Sequence, residues 1–346
     1  MKGTADKTKY TGVDKKRLGI EVTTRCNIDC SHCFARAGIS KPASLSLRVA
    51  KEIIDEGYAV GYRHLHITGG EPLLWDGLPD ILDHAFLLGY KTVFLNSNGT
   101  LLTEKINGQL AEYDGLSVSV SLEGTAELHG TLRGNGSYAQ TLLGIEKALS
   151  ADIELSVFTV ACKSLITELP RFADDIHTRF PGVHELVLIQ LFPPQDSGFS
   201  LAQELLEPQD FLQLVDIVSL LNLLGLKTGF LNNPLAFAAS KLLETHWVPP
   251  SAPLYAEGSM FVTASQDMCL SHSSRDSFAV YEAGMIQKVL DSEQYRKKVA
   301  PDQTTCPSCR YTELCLNSGM LRPSEFSWGS RPDLPYCQMV LDCIAH

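Results

Sequence analysis

Between residues 18 and 192, short runs of aliphatic and β-branched residues alternate with longer amphipathic segments. The short runs predict six strands: LGIEVTT, HLHITGG, KTVFLNSN, LSVSVSL, IELSVFTV and ELVLIQLF. The segments between them have apolar residues at helical spacing and predict four helices: SLRVAKEIIDEGYAVG, LPDILDHAFLLG, SYAQTLLGIEKALS and LITELPRFADDIHTRF. Strands that alternate with helices pair in parallel, because each connection must cross over the sheet. This half of the chain is therefore predicted to have an α/β fold.

The remainder of the chain lacks this regular alternation. A further helix is predicted at about residues 208–225, and the next segment has prolines at both ends, which is typical of a bridge between domains. Beyond it the pattern is irregular, with short hairpin signals. We predict four segments: an N-terminal lead at 1–17, a strand–helix domain at 18–230, a bridge at 231–253 and a small irregular α+β domain rich in cysteine at 254–346.

Composition narrows the function classes. The 346 residues include 29 Lys and Arg against 40 Asp and Glu, a net charge of −11, so an electropositive face for nucleic acid is not expected. No apolar stretch reaches the ~18 residues of a membrane helix, and the N-terminus lacks the apolar core of a signal peptide. Ten cysteines in a chain without a secretion signal indicate metal binding rather than disulfides. We predict a cytoplasmic metalloprotein with no membrane partner.

The first cysteine cluster follows the first predicted strand. Cys26, Cys30 and Cys33 have the spacing Cys-x-x-x-Cys-x-x-Cys, and no fourth cysteine lies nearby. Four thiolates complete the coordination of zinc or of a cubane cluster, whereas three leave one position open. Half of a zinc site would give the same triplet, so the metal stays open at this point.

Other polar and glycine residues also fall where predicted strands end. The segment TGGEP ends the second strand with Gly69, Gly70 and Glu71, while Asn98 ends the third and Ser121 the fourth. Parallel sheets bind ligands at the carboxyl ends of their strands. Exposed carbonyls at the glycines, together with Glu71, are suited to accept hydrogen bonds from an ammonium group, although Gly-Gly alone is typical of a turn.

The segments CNIDCSHC and TGGEP, on consecutive strands, resemble the signature of the radical S-adenosylmethionine (radical SAM) enzymes. With the six strand–helix units, the resemblance implies a partial (β/α)6 TIM-like barrel. It also implies a 4Fe-4S cluster on Cys26, Cys30 and Cys33, with S-adenosylmethionine on the fourth iron. Reductive cleavage of S-adenosylmethionine then yields a 5′-deoxyadenosyl radical that abstracts hydrogen from a substrate C–H bond.

The resemblance also implies roles at the cofactor for several further residues. His32 occupies the position where the family often has an aromatic side chain against the adenine; otherwise it is a surface histidine. Asn98 is expected to face the nucleoside, although NG is equally a turn signal. Ser119 and Ser121 share one face of the fourth strand and are expected to line the cofactor site.

Two charged residues complete the expected cofactor site. Glu123 ends the serine-rich strand at a position where the family often has Asp. Arg133 lies in a His-x-x-x-Arg-Gly-x-Gly-Ser pattern, which resembles the peptide-modifying branch of the family. There an arginine is expected to pair with the cofactor carboxylate or with substrate, and otherwise Arg133 is an exposed loop residue.

A second cysteine cluster lies near the C-terminus. Cys306, Cys309 and Cys315 in CPSCRYTELC are followed by Cys337, a four-thiolate pattern that suits either zinc or a 4Fe-4S cluster. The pattern resembles the SPASM domain, the C-terminal extension of many radical SAM enzymes. Cys343 competes with Cys337 as the fourth ligand.

The SPASM resemblance is incomplete in this chain. Gly319 stands where the family has a further cysteine, and upstream the segment offers only Cys269. One auxiliary cluster is therefore expected instead of the usual two. Cys269 has three candidate roles: a buried thiol, an iron ligand or a hydrogen-atom donor to a substrate radical. Cys162, at a strand end, is expected to be a buried thiol.

Three hypotheses for the function stay open. The first is a radical SAM maturase acting on a ribosomally made peptide or a protein side chain, by crosslinking, oxidation or epimerisation. The second is a radical SAM oxidoreductase or epimerase for a small molecule, and the third is a non-catalytic iron–sulfur or zinc protein. An electron donor such as flavodoxin or ferredoxin is expected. Only 17 residues precede the first strand, so a fused leader-binding domain is not expected, and a leader peptide would be bound by a separate protein, by the catalytic domain or not at all.

Overall fold

The computed structural model describes residues 16–33, 35, 37, 42–191, 201–245, 247–253, 257–273, 277–300, 308–309, 311–315 and 336–345. Its strands are β1 (Arg17–Glu21), β2 (His64–Thr68), β3 (Thr92–Ser97), β4 (Leu116–Ser121), β5 (Glu154–Ala161), β6 (Leu186–Gln190), β7 (Thr228–Phe230), β8 (Met260–Val262), β9 (Asp267–Cys269) and β10 (Ala279–Val280). They form one sheet in the order β10-β9-β8-β1-β2-β3-β4-β5-β6-β7.

Helices connect most of these strands. They are α1 (Leu47–Ala59), α2 (Leu78–Leu88), α3 (Glu104–Leu110), α4 (Ala126–Arg133), α5 (Ser137–Ser150), α6 (Lys163–Arg179), α7 (Pro208–Leu223), α8 (Pro234–Leu242), α9 (Met285–Leu290), α10 (Glu293–Val299), α11 (Thr312–Cys315) and α12 (Tyr336–Ala345). Two short 3-10 helices, at Pro72–Leu74 and Ala202–Glu204, complete the elements. In the described part of the chain, no helix has the length and apolar character needed to cross a membrane.

The first seven strands pair in parallel and in sequence order. The six predicted strands and the five predicted helices are confirmed, and β7 adds a seventh parallel strand. Successive strand residues face opposite sides of the sheet. Leu18, Ile20, Leu65 and Ile67 lie fully buried on the side that the helices cover. The fold is thus the predicted α/β type with a TIM-like parallel sheet.

Helix α1 shows how the sequence pattern produces this helical layer. Its N-cap Ser46 accepts a hydrogen bond from the backbone N–H of Val49, which satisfies one free donor of the first turn. Ala50, Ile53 and Ile54 recur at helical spacing and are fully buried against the sheet. The opposite side of the sheet, which we call the inner face, carries polar side chains from neighbouring strands.

The C-terminal segment extends the same sheet. Strand β8 pairs in parallel with β1, with Met260 opposite Leu18, and β9 pairs antiparallel with β8 as the hairpin signals predicted. The ring of Phe261 lies directly over Gly19, where an added Cβ would come within 2.1 Å of Phe261 Cδ2. Glycine at this position therefore allows the hairpin to close over the inner face of β1.

Part of the segment predicted as a bridge, residues 231–253, is a packed helix. Helix α8 begins at Pro234, whose missing N–H is not needed in the first turn, and its Leu235, Ala236 and Ala239 are buried. It contacts α7, α11 and α12. The two helices that carry the C-terminal cysteines thus share one supporting helix.

Candidate active site

Three thiols lie on the loop that follows β1, at the carboxyl end of the sheet. We call residues 26–33 the cluster loop. The pKa of the Cys30 thiol is raised to about 12, chiefly by burial. The positive charge of Arg133 opposes this rise, and the neighbouring thiols of Cys33 and Cys26 contribute to it. The Cys33 thiol likewise contributes to the raised pKa of Cys26, after the larger effect of burial. The loop therefore brings the three predicted ligands close together.

Each of these sulfurs has at least one N–H donor. Asn98 Nδ2 lies 3.8 Å from Cys26 Sγ, and Arg133 Nη1 lies 3.8 Å from Cys30 Sγ. The backbone N–H of Ala37 donates to Cys33 Sγ at 3.4 Å. Hydrogen bonds of this kind stabilise sulfur in its thiolate form, which is the form that binds iron. The donors come from three separate parts of the fold.

The cluster loop is anchored on the C-terminal end of α4. The Ser31 backbone N–H donates to the Leu132 carbonyl at 2.9 Å, and the Ser31 hydroxyl donates to the same oxygen at 3.2 Å. These bonds use a carbonyl of the last helical turn, which lacks a partner within the helix. They place Cys30 beside Arg133, the last residue of α4.

The glycines of TGGEP pack against the backbone that leads into the cluster loop. Gly70 N–H donates to the Thr23 carbonyl at 2.7 Å, and Glu71 N–H donates to the Arg25 carbonyl at 2.8 Å. An added Cβ would lie 2.7 Å from the Thr23 carbonyl oxygen at Gly69, and 2.2 Å from the Arg25 carbonyl oxygen at Gly70. Glycine is required at both positions because the two backbone segments touch.

The Glu71 carboxylate points into the protein. It is fully buried and accepts hydrogen bonds from Leu73 N–H at 3.1 Å, Ser97 Oγ at 3.0 Å and Asn98 N–H at 2.8 Å. Burial raises its pKa to about 7, although these hydrogen bonds act in the opposite direction. Its oxygens connect the end of β2 to the end of β3, and a hydrogen bond from an ammonium group to Glu71 stays a prediction.

Asn98 faces the cluster loop. Its Nδ2 donates to Asn27 Oδ1 at 2.9 Å, and its Oδ1 accepts from both the N–H and the hydroxyl of Thr100, at 2.9 and 2.6 Å. Gly99 follows with a φ of 78°, so the NG turn is also present. Asn98 thus stabilises both the NG turn and the cluster loop through its side-chain hydrogen bonds.

Arg133 is held by a fully buried carboxylate. Its Nε donates to Glu123 Oε1 at 2.6 Å, while Glu123 Oε2 accepts from Thr159 Oγ1 at 3.0 Å and Val160 N–H at 2.6 Å. Burial opposes ionisation of Glu123, but the charge of Arg133, the neighbouring His32 and the hydrogen bonds from Val160 and Arg133 together outweigh it, so the pKa of Glu123 is lowered. The side chain of Arg133 is 13% exposed, so it is not a surface loop arginine.

The rest of the His-x-x-x-Arg-Gly-x-Gly-Ser pattern supports this pair. The backbone N–H of Glu123 donates to His129 Nδ1 at 3.2 Å, and His129 Nε2 lies 3.0 Å from Ser137 Oγ. Ser137 in turn donates to the Gly134 carbonyl at 2.7 Å. The sequence pattern includes His129 and Ser137 at a fixed spacing from Arg133, but it did not predict that they support Arg133.

His32 is buried rather than on the surface. Its side chain is 7% exposed, and its Nε2 lies 4.0 Å from Glu123 Oε1. Burial lowers the pKa of His32 to about 4, so the ring is neutral. Its Nδ1 is buried and has no hydrogen-bond partner among the residues that the structure describes. The ring lies beside the Glu123–Arg133 pair instead of in the exposed position that the alternative interpretation assumed.

A polar network crosses the inner face below the cluster loop. Ser119 Oγ donates to Asn96 Oδ1 at 3.0 Å, and the same oxygen lies 3.1 Å from His66 Nε2. Burial lowers the pKa of His66 to about 3, so this histidine is neutral and donates its Nε2–H to Asn96. Ser121, two residues beyond Ser119, is half-buried at the strand end. The sequence did not predict the roles of His66 and Asn96. The alternation of polar and apolar residues along a strand does not show which polar side chains on neighbouring strands form hydrogen bonds.

Comparisons with known proteins agree with this geometry. Residues 20–170 match the sequence model of the Radical SAM superfamily. This part of the chain is a radical SAM domain. It contains the cluster loop, TGGEP, the Asn98 turn and the Glu123–Arg133 pair.

Curated relatives share about 155 residues with this chain. An AdoMet-dependent heme synthase of Oleidesulfovibrio alaskensis is 36% identical over 157 residues, which are 44% of this chain and 39% of the relative. The mycofactocin maturase MftC of Mycobacterium tuberculosis is 30% identical over 155 residues, again 44% of this chain and 39% of the relative. The aligned part thus spans about two-fifths of each relative.

Solved structures extend the likeness of fold beyond the radical SAM domain. The structure of anSMEcpe with bound AdoMet aligns with a TM-score of 0.73 at 15% identity, covering 95% of both chains. Streptococcus suis SuiB bound to its precursor peptide SuiA aligns with a TM-score of 0.67 at 15% identity, covering 88% of this chain and 72% of SuiB. At these identities the likeness shows the fold alone.

The residues of the radical SAM domain fit the cluster that the family carries. Within the described ranges, no three His, Cys, Asp or Glu side chains converge tightly enough to hold one metal ion. A cubane cluster does not require such convergence, because each thiolate binds a different iron. Three neighbouring thiols, each with an N–H donor, suit the three irons that such a cluster offers them.

A contact between a carboxylate and a histidine beside the first strand could not be predicted from the sequence. Glu21 Oε1 lies 3.0 Å from His272 Nε2, and Glu21 Oε2 accepts the Ala264 N–H at 2.9 Å. The ring of His272 lies 5.2 Å from that of Phe261. These contacts join the β8–β9 hairpin to the inner face, and no short-range pattern could have shown a contact between residues so distant in sequence.

The C-terminal cysteines are described in part. Cys306 lies outside the described residues, and Cys315 is the last residue of α11. Cys309 is half-buried, and its carbonyl accepts the Thr312 hydroxyl at 2.9 Å. Cys337 and Cys343 both lie on α12, where Gln209 Nε2 donates to Cys343 Sγ at 3.3 Å. Since α11 and α12 both contact α8, the described cysteines lie in one region, and the auxiliary cluster stays a prediction.

The two remaining thiols are buried. Cys162 is fully buried as the N-cap residue of α6, as expected. Cys269 is 2% exposed, and its Sγ donates to the Ser271 carbonyl at 3.2 Å. The described geometry thus gives Cys269 a hydrogen bond within its own turn.

Proposed function

We propose that this chain is a radical SAM enzyme that acts on a side chain of a ribosomally made peptide or of a protein. The carrying observation is the set of three neighbouring thiols, each with at least one N–H donor, on a loop at the carboxyl end of a parallel sheet. Cys26, Cys30 and Cys33 would hold a 4Fe-4S cluster. When bound, the cluster and S-adenosylmethionine supply a 5′-deoxyadenosyl radical that abstracts hydrogen from a substrate C–H bond.

The chain's own residues would bind and orient these groups. Arg133 keeps donors beyond the one that Glu123 accepts, and it is suited to hold a carboxylate of the cofactor or of the substrate. Asn98 and Ser121 lie at the edge where the nucleoside is expected. Glu71 would act indirectly, because it fixes the backbone of Asn98. Ser119 is engaged with Asn96, so it shapes the inner face below this edge.

A peptide substrate is supported by two of the similar proteins. MftC is named as a maturase, and the SuiB structure contains a precursor peptide. A small-molecule substrate is the second candidate, favoured by the 36% identity to an AdoMet-dependent heme synthase. Cysteines 306, 309, 315 and 337 would hold an auxiliary 4Fe-4S cluster. We further propose a cytoplasmic location, an electron donor of the flavodoxin or ferredoxin type and a separate leader-peptide-binding protein.

The test begins with the chemistry common to both candidates. The chain is reconstituted anaerobically with iron and sulfide, reduced with dithionite and mixed with S-adenosylmethionine. We expect 5′-deoxyadenosine to form, and its absence with an intact cluster would favour a non-catalytic iron–sulfur protein. Zinc bound instead of iron would favour a structural zinc protein.

The second stage separates the substrates. Synthetic peptides encoded by short genes next to this gene are deuterated at their side chains and supplied to the reduced enzyme. Transfer of deuterium into 5′-deoxyadenosine is expected if the substrate is a peptide. Iron porphyrins, the class of molecule to which heme belongs, serve as the matched small-molecule probes, and turnover of these probes alone would replace the peptide proposal with the second candidate.

A further inference from the structure

Arg133 connects a buried carboxylate to one thiol of the cluster loop. Its Nη1 lies 3.8 Å from Cys30 Sγ, while its Nε donates to Glu123 Oε1 at 2.6 Å. The other two thiols receive neutral donors, an asparagine amide and a backbone N–H. Among the three donors, Arg133 is therefore the charged one.

The position of this charge is fixed from several directions. Glu123 is fully buried and is held by Thr159 and Val160 of β5. The side chain of Arg133 is 13% exposed, so little solvent reaches the pair. The Ser31 bonds to the Leu132 carbonyl hold the loop against the same helix end. Neither the guanidinium nor the thiol can move away without breaking these contacts.

The glycines of the pattern contribute to this arrangement. Gly134 and Gly136 have φ values of 93° and 88°, a region that residues with a Cβ rarely adopt. They let the chain turn sharply from α4 into α5, which brings Ser137 back to the Gly134 carbonyl and to His129. The pattern His-x-x-x-Arg-Gly-x-Gly-Ser thus describes a support for Arg133.

A fixed cation beside a thiolate affects how readily a bound cluster accepts an electron. Reduction adds negative charge to the iron and sulfur atoms, and a positive charge in a poorly hydrated site favours the reduced state. Hydrogen bonds to the sulfurs act in the same direction, and those from charged donors are the stronger ones. The carboxylate of Glu123 lies on the far side of the guanidinium, so the nearest charge to Cys30 is positive.

We infer that Arg133 tunes the cluster held by Cys26, Cys30 and Cys33, raising its reduction potential. Glu123, His129 and Ser137 are positioning residues that hold Arg133 against Cys30. This inference rests on the cluster of the proposed function, but it concerns the potential of that cluster and not the substrate. It assigns a redox role to a residue that was expected only to bind a carboxylate.

The test is a potentiometric titration of the reconstituted full-length chain, followed by electron paramagnetic resonance. The signal that changes when S-adenosylmethionine is added identifies the cluster of the cluster loop, and its midpoint potential is measured without S-adenosylmethionine. Arg133→Gln is expected to shift this potential to a more negative value. Arg133→Lys keeps the charge but loses the fork that spans Glu123 and Cys30, so a smaller negative shift is expected.

Arg25→Gln is the matched control. It removes the same charge one residue before Cys26, but the Arg25 side chain is exposed and solvent screens it, so no shift is expected. Equal potentials for Arg133→Gln and Arg25→Gln would overturn the inference. If Arg133→Gln binds too little iron to titrate, Arg133→Met, which also removes the charge, decides, and a potential equal to that of the wild type overturns the inference. A wild type without any signal that responds to S-adenosylmethionine would instead refute the proposed function itself.

Discussion

The Glu71 carboxylate accepts the backbone N–H of Asn98 at 2.8 Å, so a buried acid at the end of β2 sets the position of the residue that ends β3. Asn98 in turn donates to Cys26 Sγ and to Asn27 Oδ1. A change at Glu71 is therefore transmitted to the cluster loop without any direct contact to a thiol.

The raised pKa of Glu71 predicts a pH dependence of stability in the iron-free chain. The folded state keeps its proton up to a pKa of about 7, whereas the unfolded state loses it near 4.5. Between these values the folded state binds more protons, so the free energy of unfolding should fall as pH rises. Urea unfolding at pH 4.5 to 7.5 measures the slope, and Glu71→Gln should make it less negative. An identical slope in both proteins would show that Glu71 is ionised throughout.

Loss of any thiol of the cluster loop should abolish cleavage of S-adenosylmethionine. Cys26→Ala, Cys30→Ala and Cys33→Ala each remove one ligand, which leaves the cluster incompletely held. Assays of 5′-deoxyadenosine should show no product, while iron bound at the C-terminal site should persist. Cys162→Ala removes a fully buried thiol elsewhere and should leave cleavage intact. One cluster-loop variant with full cleavage would refute the ligand assignment.

Iron content should reveal the auxiliary cluster. Two cubane clusters correspond to about eight irons per chain, and joint replacement of cysteines 306, 309 and 315 by Ala should halve this number. Cleavage of S-adenosylmethionine is expected to persist in that variant while product formation fails. Cys337→Ala should lose the same iron and Cys343→Ala should keep it, and the opposite result would make Cys343 the fourth ligand. Zinc replacing half of the iron would indicate a structural metal instead.

The contact between Gly19 and Phe261 predicts a specific coupling. Gly19→Ala places a methyl group where the Phe261 ring lies, and such overpacking costs about 1–3 kcal/mol. Combining it with Phe261→Leu should lose less stability than the sum of the two single variants. Gly108→Ala is the control, because its Cβ would meet nothing within 4 Å in helix α3 and should be neutral or slightly stabilising. Additive losses in urea unfolding would show that the ring moves aside freely.

The sequence predicted the parallel sheet because short runs rich in aliphatic and β-branched residues alternate with longer amphipathic segments. It did not predict α8, since the Asn-Asn-Pro that precedes this helix and the Pro-Pro that follows it suggested a bridge. Nor did it predict that β8 pairs with β1, because register between strands so far apart depends on shape, as at Gly19 and Phe261.

At the candidate site, the sequence identified the residues better than their orientations. The spacing of the cysteines and of TGGEP selected the right part of the fold. The directions of Glu71 and His32 were not predictable, because they depend on partners from other strands, Ser97 in one case and Glu123 in the other. The hydrogen-bond network of His66 and Asn96 was not predictable either, because it too joins side chains of different strands.

The pairing of β8 with β1 has a consequence for biosynthesis. β1 finds its first partner, β2, soon after it leaves the ribosome, but its other edge is completed by residues roughly 240 positions later. At about 5–20 residues per second, that edge stays open for roughly 10–50 s. An open edge strand is a template for pairing with other chains, so a nascent chain stopped at residue 253 should associate, as light scattering would show. The second edge of the strand that leads into the cluster loop is thus protected only long after this strand has been synthesised.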